Sequence, residues 1–452
     1  MPERSVNDAT SRLVHFATGL DSSALPPATV ERVKILFLDA LAAGLTGWSS
    51  SESDIVCQVG RRLFGQGESM VLGGPPLSPA AAAMVNGYLI TARSLCDVHQ
   101  PTLSHVTPVT VPAILAGAGT NGADGPTLLA SLAVAFESMV RVCTALDYPE
   151  LRSRGWHSTG VVGPIAAALG VARVRGFDES ATSSAMGIAA MAASGTFAAF
   201  GTPTIKYNQS RGALNGFLAA ELAGDGFRGP EAVLTAPDGG LFNTHSNGGR
   251  PQEFDGLGET WSLHGITTRL WPAAAALQSV LTILLTNEVP AVRDIEKVTV
   301  SLSPASHEMN AEMGWATGFE AQLSARFVTS VVLHDRTCWL DQYGSDRLND
   351  PEISGFASDR IHVDRDPTLP EGGSAVSIES GGEVLEWRLE NPKGDPLNPA
   401  SWDETAGKFH KAADGVLPAG RAVAIVDRVR SLEAQPGVME LLALLGTGRQ
   451  SP

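Results

Sequence analysis

The sequence predicts a mostly α-helical protein with one α+β part, and three observations support this fold class. Ala and Leu, which favour helices, dominate residues 1–266. Apolar and polar residues then begin to alternate, which is typical of half-buried strands. Helical spacing returns near Pro399. We therefore expect residues 1–266 and 396–452 to form one large helical domain, with 267–395 as a smaller α+β domain.

Apolar spacing and end signals predict the helices of the N-terminal part. Pro26 and Pro27 lead into a helix whose apolar face includes Val33 and Phe37. Asp39 falls among these apolar positions, and we expect it to lie on a partly exposed side of the helix. A buried partner for Asp39 is the alternative. Further helices are predicted at Ala80 to about Ser94, after Pro108 or Pro112, at about Thr127–Leu146 and at Asp178–Phe200.

The stretch from Gly201 to Pro230 contains a lone lysine beside a tightly packed helix. A turn ends near Lys206, and small and apolar residues then recur at helical spacing from about Gln209. Gly212 and Gly216 lie four apart, so another backbone could approach this helix closely. A solvated surface lysine is the ordinary alternative. The position of Lys206 is also suited to binding a carboxylate or moving a proton.

Two further segments contain histidines next to predicted helices. Asp97, His99 and His105 lie within nine residues of one loop, and His157 lies between Trp156 and a Ser-Thr-Gly turn. Imidazole and carboxylate suit zinc or iron, but the spacing matches no known ligand pattern, so we expect no metal. For His157, a hydrogen-bonded core histidine and a catalytic histidine both remain possible.

Strand patterns characterise the α+β segment. Val298, Val300 and Leu302 alternate with polar residues, and Ile361 with Val363 suggests another strand. The remaining predictions are a hairpin around Gly381-Gly382, a helix at about Glu320–Leu333, a helix capped by Ser401 and Glu404, and a last helix near Val438–Leu445.

Composition limits the classes of partner. The net charge of −16 argues against binding to nucleic acid or to an anionic membrane, since both need clustered Lys and Arg. No signal-peptide core and no uninterrupted membrane span is visible, and the four cysteines match no zinc or redox spacing, so we expect a cytoplasmic protein. No Gly-rich phosphate loop follows a strand, so we expect no nucleotide cofactor.

Five segments in chain order carry a resemblance to a known family. They are FLDALAAGL, VNGYLITARSLCDVHQPTLSHVTPVTVP, GWHSTGVVGPIAAALG, GTPTIKYNQSRGALNGFLAAELAGDGFRGP and GDPLNPASWDETAGKF. Together they resemble the MmgE/PrpD family, which includes 2-methylcitrate dehydratase, cis-aconitate decarboxylase and iminodisuccinate epimerase. The resemblance covers nearly the whole chain.

The resemblance implies a fold and a site. The helical domain would combine the N-terminal region with the C-terminal helices, the α+β domain would be a lid inserted between them, and the protein would be a homodimer. The site would need neither cofactor nor metal and would act on a small di- or tricarboxylate. His105, His157 and Lys206 match the family's catalytic positions. In the matching loop and lid segments, Asp97, His99 and Arg269 are the expected substrate-binding residues.

The chain also departs from the family pattern around these residues. Leu95 stands where the family has the first aspartate of its D-F-D-D-T run, and His99 stands where it has the threonine. Ala274 replaces a polar or histidine side chain, and Phe327 replaces a tyrosine. The three proton-handling residues are retained, while the residues expected to contact the substrate are altered.

The function expected from this resemblance is a cofactor-independent acid-base lyase. It would dehydrate or decarboxylate a small di- or tricarboxylate by proton transfer at a carbon next to a carboxylate. One alternative is an epimerase or isomerase that uses the same histidines and lysine. The other is a non-catalytic relative with a binding role.

Overall fold

The computed structural model describes residues 9–446, which form two compact units. The first unit contains the described residues up to Ala92, the segment Cys96–Ile266 and the described residues from Ser401 onward. The second contains Arg93–Leu95 and Thr267–Ala400. The first is built from helices and the second from helices and a sheet. The predicted fold class, mostly α with an α+β part, is therefore confirmed.

Helices make up most of the first unit, because small and apolar residues recur at helical spacing along them. Its helices are α1 (Ala9–Gly19), α2 (Pro27–Thr46), α3 (Ser51–Phe64), α4 (Pro79–Ala92), α5 (Thr107–Asn121), α6 (Gly125–Ala145), α7 (Tyr148–Ser153), α8 (Ser158–Val174), α9 (Glu179–Ala190), α10 (Thr204–Gly224), α11 (Leu241–His245), α18 (Trp402–Ala413), α19 (Arg421–Arg430) and α20 (Met439–Leu445). The two-residue strand β1 (Val98–His99) lies between α4 and α5, and β2 (Ile266–Thr267) lies where the chain passes from the first unit to the second.

Helix α10 packs against α4, α5, α8 and α9. The close approach predicted at its glycines is confirmed at Gly216, where a Cβ would lie 2.4 Å from the Cβ of Ala167 and 2.6 Å from the carbonyl oxygen of Pro164. The start of the helix differs from the prediction. Pro203 is the N-cap residue in helical geometry, and the helix begins at Thr204, so Lys206 lies in its first turn. The missed turn contains the buried Ile205, which extends the apolar face.

Two predicted helices end or break earlier than expected. The helix predicted to reach Phe200 ends at Ala190, and Gly195 lies beyond it at a φ of 109°, which no α-helix contains. In the second unit, the helix predicted over Glu320–Leu333 is two helices. They meet at Ser324, whose extended backbone ends the first and whose side chain caps the second.

Asp39 is buried, so the prediction of a partly exposed side of helix α2 is wrong. Its side chain is 0% exposed and pairs with Lys408 of α18 at 2.6 Å, and the lysine side chain is only 2% exposed. Burial of a carboxylate is costly unless a charge compensates it, and Lys408 supplies that charge. The pair joins the start and the end of the chain within the first unit.

Helix α6 contains a second buried ion pair. Glu137 accepts a hydrogen bond of 2.6 Å from Arg141, and its carboxylate also accepts from the backbone of Ser262 and Leu263. Among the described residues, α6 is the one helix long and apolar enough to cross a membrane, but 94% of its apolar window is buried in the protein. Burial and the internal ion pair are properties of a core helix.

The second unit is a four-stranded sheet with six helices among its described residues. The strands are β3 (Ile295–Leu302), β4 (Ile361–Arg365), β5 (Ser374–Ser380) and β6 (Glu383–Leu389), in the order β4-β3-β5-β6. Only β3 and β4 are parallel; β5 and β6 form the hairpin predicted around Gly381-Gly382. The helices are α12 (Gln278–Thr286), α13 (Pro304–Asn310), α14 (Gly318–Leu323), α15 (Ala325–Asp335), α16 (Ser345–Leu348) and α17 (Pro351–Asp359).

Candidate functional site

The loop between α4 and α5 is held by Asp97, which caps the start of α5. Asp97 is fully buried, and its carboxylate accepts hydrogen bonds from the backbone of Val106 at 2.9 Å and Thr107 at 3.1 Å, and from the Thr107 hydroxyl. Burial and the neighbouring Cys96 raise the pKa of Asp97 to about 6. The carboxylate satisfies backbone N–H groups that have no partner within the helix. Asp97 thus caps α5, and its predicted contact with the substrate stays a prediction.

His105 is partly exposed just before α5, and its imidazole has a defined proton position. Its Nδ1 lies 2.7 Å from the backbone carbonyl oxygen of Asp97 and 3.7 Å from Sγ of Cys96. A carbonyl oxygen can only accept, so Nδ1 donates the proton and Nε2 of the neutral ring keeps a lone pair. The backbone N–H of His105 donates to Oγ1 of Thr159 at 2.9 Å, which ties this loop to the first turn of α8.

His157 is buried at the N-cap position of α8. Its backbone N–H donates to the carbonyl of Gly195 at 2.9 Å, and its Nδ1 lies 3.4 Å from the amide nitrogen of Asn208. Burial, together with the charges of His105, Lys206 and Arg211, lowers the pKa of His157 to about 3. The imidazole is therefore neutral at neutral pH.

Lys206 lies in the first turn of α10 and is 7% exposed. Its charge acts on His157, as does that of His105, so two of the three residues predicted as catalytic act electrostatically on the third. Arg211, further along α10, donates to the carbonyls of Ala192 and Ser194 at 3.1 and 2.8 Å. These bonds hold the loop whose Gly195 supports His157.

The remaining predicted residues have different surroundings. His99 is 6% exposed, its Nδ1 lies 2.8 Å from Oγ1 of Thr102, and burial lowers its pKa to about 4. Arg269 belongs to the second unit, where it is buried and donates to the carbonyl of Ala273 at 3.3 Å. Substrate binding by His99 and Arg269 stays a prediction.

The altered positions Leu95, Ala274 and Phe327 are all buried in the second unit. Phe327 packs between Trp315 and Tyr343, with ring centroids 6.1 and 6.4 Å away. The side chain at this position is thus part of an aromatic cluster.

Sequence reasoning missed Asn208, Arg211 and Gly195. Asn208 and Arg211 are polar residues three apart on a helix of small residues, which places them on one face. That spacing was a usable signal, but the sequence could not show that the facing partner is His157 with its supporting loop. Among residues 9–446, no group of three or more His, Cys, Asp or Glu side chains is arranged to hold a metal ion.

Comparison with known proteins identifies the family. A family model described as MmgE/PrpD N-terminal domain matches residues 11–253, and one described as MmgE/PrpD C-terminal domain matches residues 271–433. The chain belongs to the MmgE/PrpD family. The predicted resemblance is thereby confirmed.

Similar proteins match along almost their whole length. A cis-aconitate decarboxylase-like protein, oryM, of Aspergillus oryzae is 31% identical, with 98% of each chain covered. A cis-aconitate decarboxylase of Aspergillus terreus is 28% identical, with 98% of this chain and 97% of the relative covered. The cis-aconitate decarboxylase of Homo sapiens is 23% identical, with 98% and 95% covered.

Proposed function

We propose that this protein is a cofactor-independent acid-base lyase that decarboxylates a small tricarboxylate of the cis-aconitate type. Family membership and relatives with this name over 98% of the chain support the reaction class and the substrate class. The observation that carries the proposal is a neutral, buried His157 on which three basic groups act, namely His105, Lys206 and Arg211. A polycarboxylate is the kind of ligand that such a cluster attracts, even in a chain of net charge −16.

The proposed chemistry divides between the three residues. The carbon–carbon bond to the departing carboxylate breaks, and CO2 leaves. The electron pair of that bond stays on the substrate and enters an enediolate conjugated with a remaining carboxylate. Lys206, in its ammonium form, would stabilise this negative charge. His105 would take up a proton from water on the lone pair of Nε2 and deliver it to the carbon, because its Nδ1 is engaged by the carbonyl of Asp97. His157 would act as a neutral hydrogen-bonding group, as neutral imidazoles do beside developing oxyanions.

Other residues take supporting roles in this proposal. Asp97 would hold the His105 loop by capping α5, and it would thereby position the imidazole of His105. Arg269 would bind a carboxylate in the bidentate manner that guanidinium favours. Arg269→Ala should then mainly raise KM, because it removes binding from ground state and transition state alike.

Incubation of the purified protein with cis-aconitate in D2O, followed by NMR and CO2 detection, tests the reaction. CO2 release with deuterium on the product carbon is the expected result. Gain or loss of water without CO2 release would instead indicate a dehydratase. Stereochemical exchange without loss of water or CO2, on a panel of small dicarboxylates, would indicate an epimerase. No turnover, together with tight binding that survives Lys206→Ala, would indicate a non-catalytic binding role.

A further inference from the structure

The hydrogen bond between Asn208 and His157 specifies where the proton of His157 lies. The amide nitrogen of Asn208 can only donate, and it lies 3.4 Å from Nδ1 of His157. Nδ1 must therefore accept, which leaves the proton of the neutral imidazole on Nε2. This is the opposite tautomer to that of His105, whose Nδ1 donates to the carbonyl of Asp97.

We propose that Asn208 is a positioning residue that holds His157 as the Nε2–H tautomer, so that His157 offers the substrate a hydrogen-bond donor and not a base. This proposal rests on the proposed function for the identity of the substrate. Under this proposal, His105 and His157 have different roles. His105 presents a lone pair on Nε2 for proton transfer, and His157 presents an N–H to an oxygen on which negative charge develops.

The surrounding structure is built to seat the amide of Asn208. Gly195, whose carbonyl accepts from the backbone of His157, lies against this amide. A Cβ at position 195 would lie 2.9 Å from Oδ1 and 3.2 Å from Nδ2 of Asn208, so only glycine leaves the amide its place. Arg211, three residues beyond Asn208, holds the same loop through the carbonyls of Ala192 and Ser194.

A neutral partner suits His157 better than a carboxylate would. The charged groups that act on His157 are His105, Lys206 and Arg211, and all of them are basic, so they disfavour a protonated ring. Phe197, 6.3 Å from the imidazole, is an apolar neighbour. An aspartate at position 208 would accept and not donate, and would draw a proton onto Nδ1.

The decisive variant is therefore Asn208→Asp, in which the side chain keeps its size and loses its donor. The tautomer is read at neutral pH from 15N NMR of histidine-labelled protein, with the His157 signals assigned by their loss in His157→Gln. Wild type should show protonated Nε2 and unprotonated Nδ1. Asn208→Asp should move the proton to Nδ1 and lower kcat by about 100-fold, with a smaller change in KM. The matched control is Asn215→Asp on the same helix, which should change neither the tautomer of His157 nor kcat.

The proposal is overturned if wild type shows a protonated Nδ1, or if Asn208→Asp leaves both the His157 signals and kcat unchanged. Gly195→Ala is a second variant, because it should displace the amide without altering its chemistry and shift the same signals. The NMR result does not depend on turnover. An Nε2–H tautomer in a protein inactive on tricarboxylates would support the role of Asn208 while rejecting the proposed function.

Discussion

The first unit buries basic side chains in two different settings. Lys408 pairs with Asp39 at 2.6 Å, and Arg141 pairs with Glu137 at 2.6 Å, so each of these cations lies against a carboxylate. Around His157 the charges that act on the ring are instead all basic. Matched charges of the first kind stabilise the fold. Basic groups gathered around His157 oppose protonation of its ring, and a bound anion would reduce the repulsion between them. We therefore assign the surroundings of His157 to substrate binding.

The largest expected effect comes from Lys206→Ala. We expect kcat on the proposed substrate to fall about 100- to 10,000-fold, because the variant loses the cation that stabilises the enediolate. The thermal midpoint should change less than kcat, since Lys206 lies in the first turn of α10 at the end of the helix. Steady-state kinetics and thermal unfolding check both statements. An unchanged kcat would show that Lys206 does not stabilise the transition state of the reaction.

Lys408→Met should show the opposite behaviour. It leaves the buried carboxylate of Asp39 without its cation, which costs about 3–5 kcal/mol in the free energy of unfolding. The kcat of the folded fraction should stay near the wild-type value. Denaturant unfolding measures the cost, and Asp39→Asn combined with Lys408→Met should recover much of it. A variant as stable as wild type would show that the pair does not stabilise the unit.

Acidification should destabilise the protein through its buried histidines. The folded-state pKa of His157 is about 3 against an ordinary value of 6.5, so the unfolded chain binds more protons between these values and stability falls as the pH falls through 6.5. For His157 alone, a drop of about one pH unit below 6.5 costs about 1 kcal/mol. His99, with a pKa of about 4, contributes in the same direction.

Comparison of wild type with His157→Gln isolates this contribution, with the exposed His15→Gln as control. Asp97 acts in the opposite direction, because its raised pKa of about 6 makes the folded state bind the extra proton between 3.8 and about 6. That contribution cancels in the difference between variants. A pH dependence of unfolding that is identical in wild type and His157→Gln would contradict a neutral, buried His157.

Lys34→Ala should have the smallest effect. Lys34 is buried and pairs with Glu433 at 2.7 Å, but the carboxylate is 51% exposed and remains solvated when the lysine is lost. We expect a loss of about 1 kcal/mol in unfolding free energy and no change in kcat. Denaturant unfolding beside Lys408→Met provides the measurement. If Lys34→Ala and Lys408→Met lost equal amounts of unfolding free energy, the exposure of the paired carboxylate would not determine how much each lysine stabilises the fold.

Features that depend on neighbouring residues in the chain were predictable from the sequence. The hairpin of β5 and β6 follows from strand alternation on both sides of Gly381-Gly382. The cap of α18 follows from Ser401 and Glu404, which form a reciprocal capping box. The close approach of another backbone at Gly216 follows from the spacing of small residues. In each case the signal lies within one short segment of the sequence.

Features that depend on a distant partner were not predictable. The residue that compensates burial of Asp39 is 369 positions away, and without it the rarity of buried aspartates favoured exposure, although Asp39 falls among apolar positions. Asn208 likewise looks like an ordinary helical polar residue until His157, 51 positions earlier, is placed beside it. The resemblance pointed to His105, His157 and Lys206, but the tautomers of the histidines come from backbone and amide partners that no motif specifies.

Binding of an unreactive tricarboxylate tests most directly whether the basic cluster around His157 serves the substrate. Propane-1,2,3-tricarboxylate is the probe, and the rise in thermal midpoint that it causes is measured in wild type, Lys206→Met and Lys34→Met. A ligand that binds only the folded state stabilises it by RT ln(1 + [L]/Kd), where [L] is the free ligand concentration. We predict a clear rise in wild type and Lys34→Met and little or none in Lys206→Met. An equal rise in all three proteins would contradict the account.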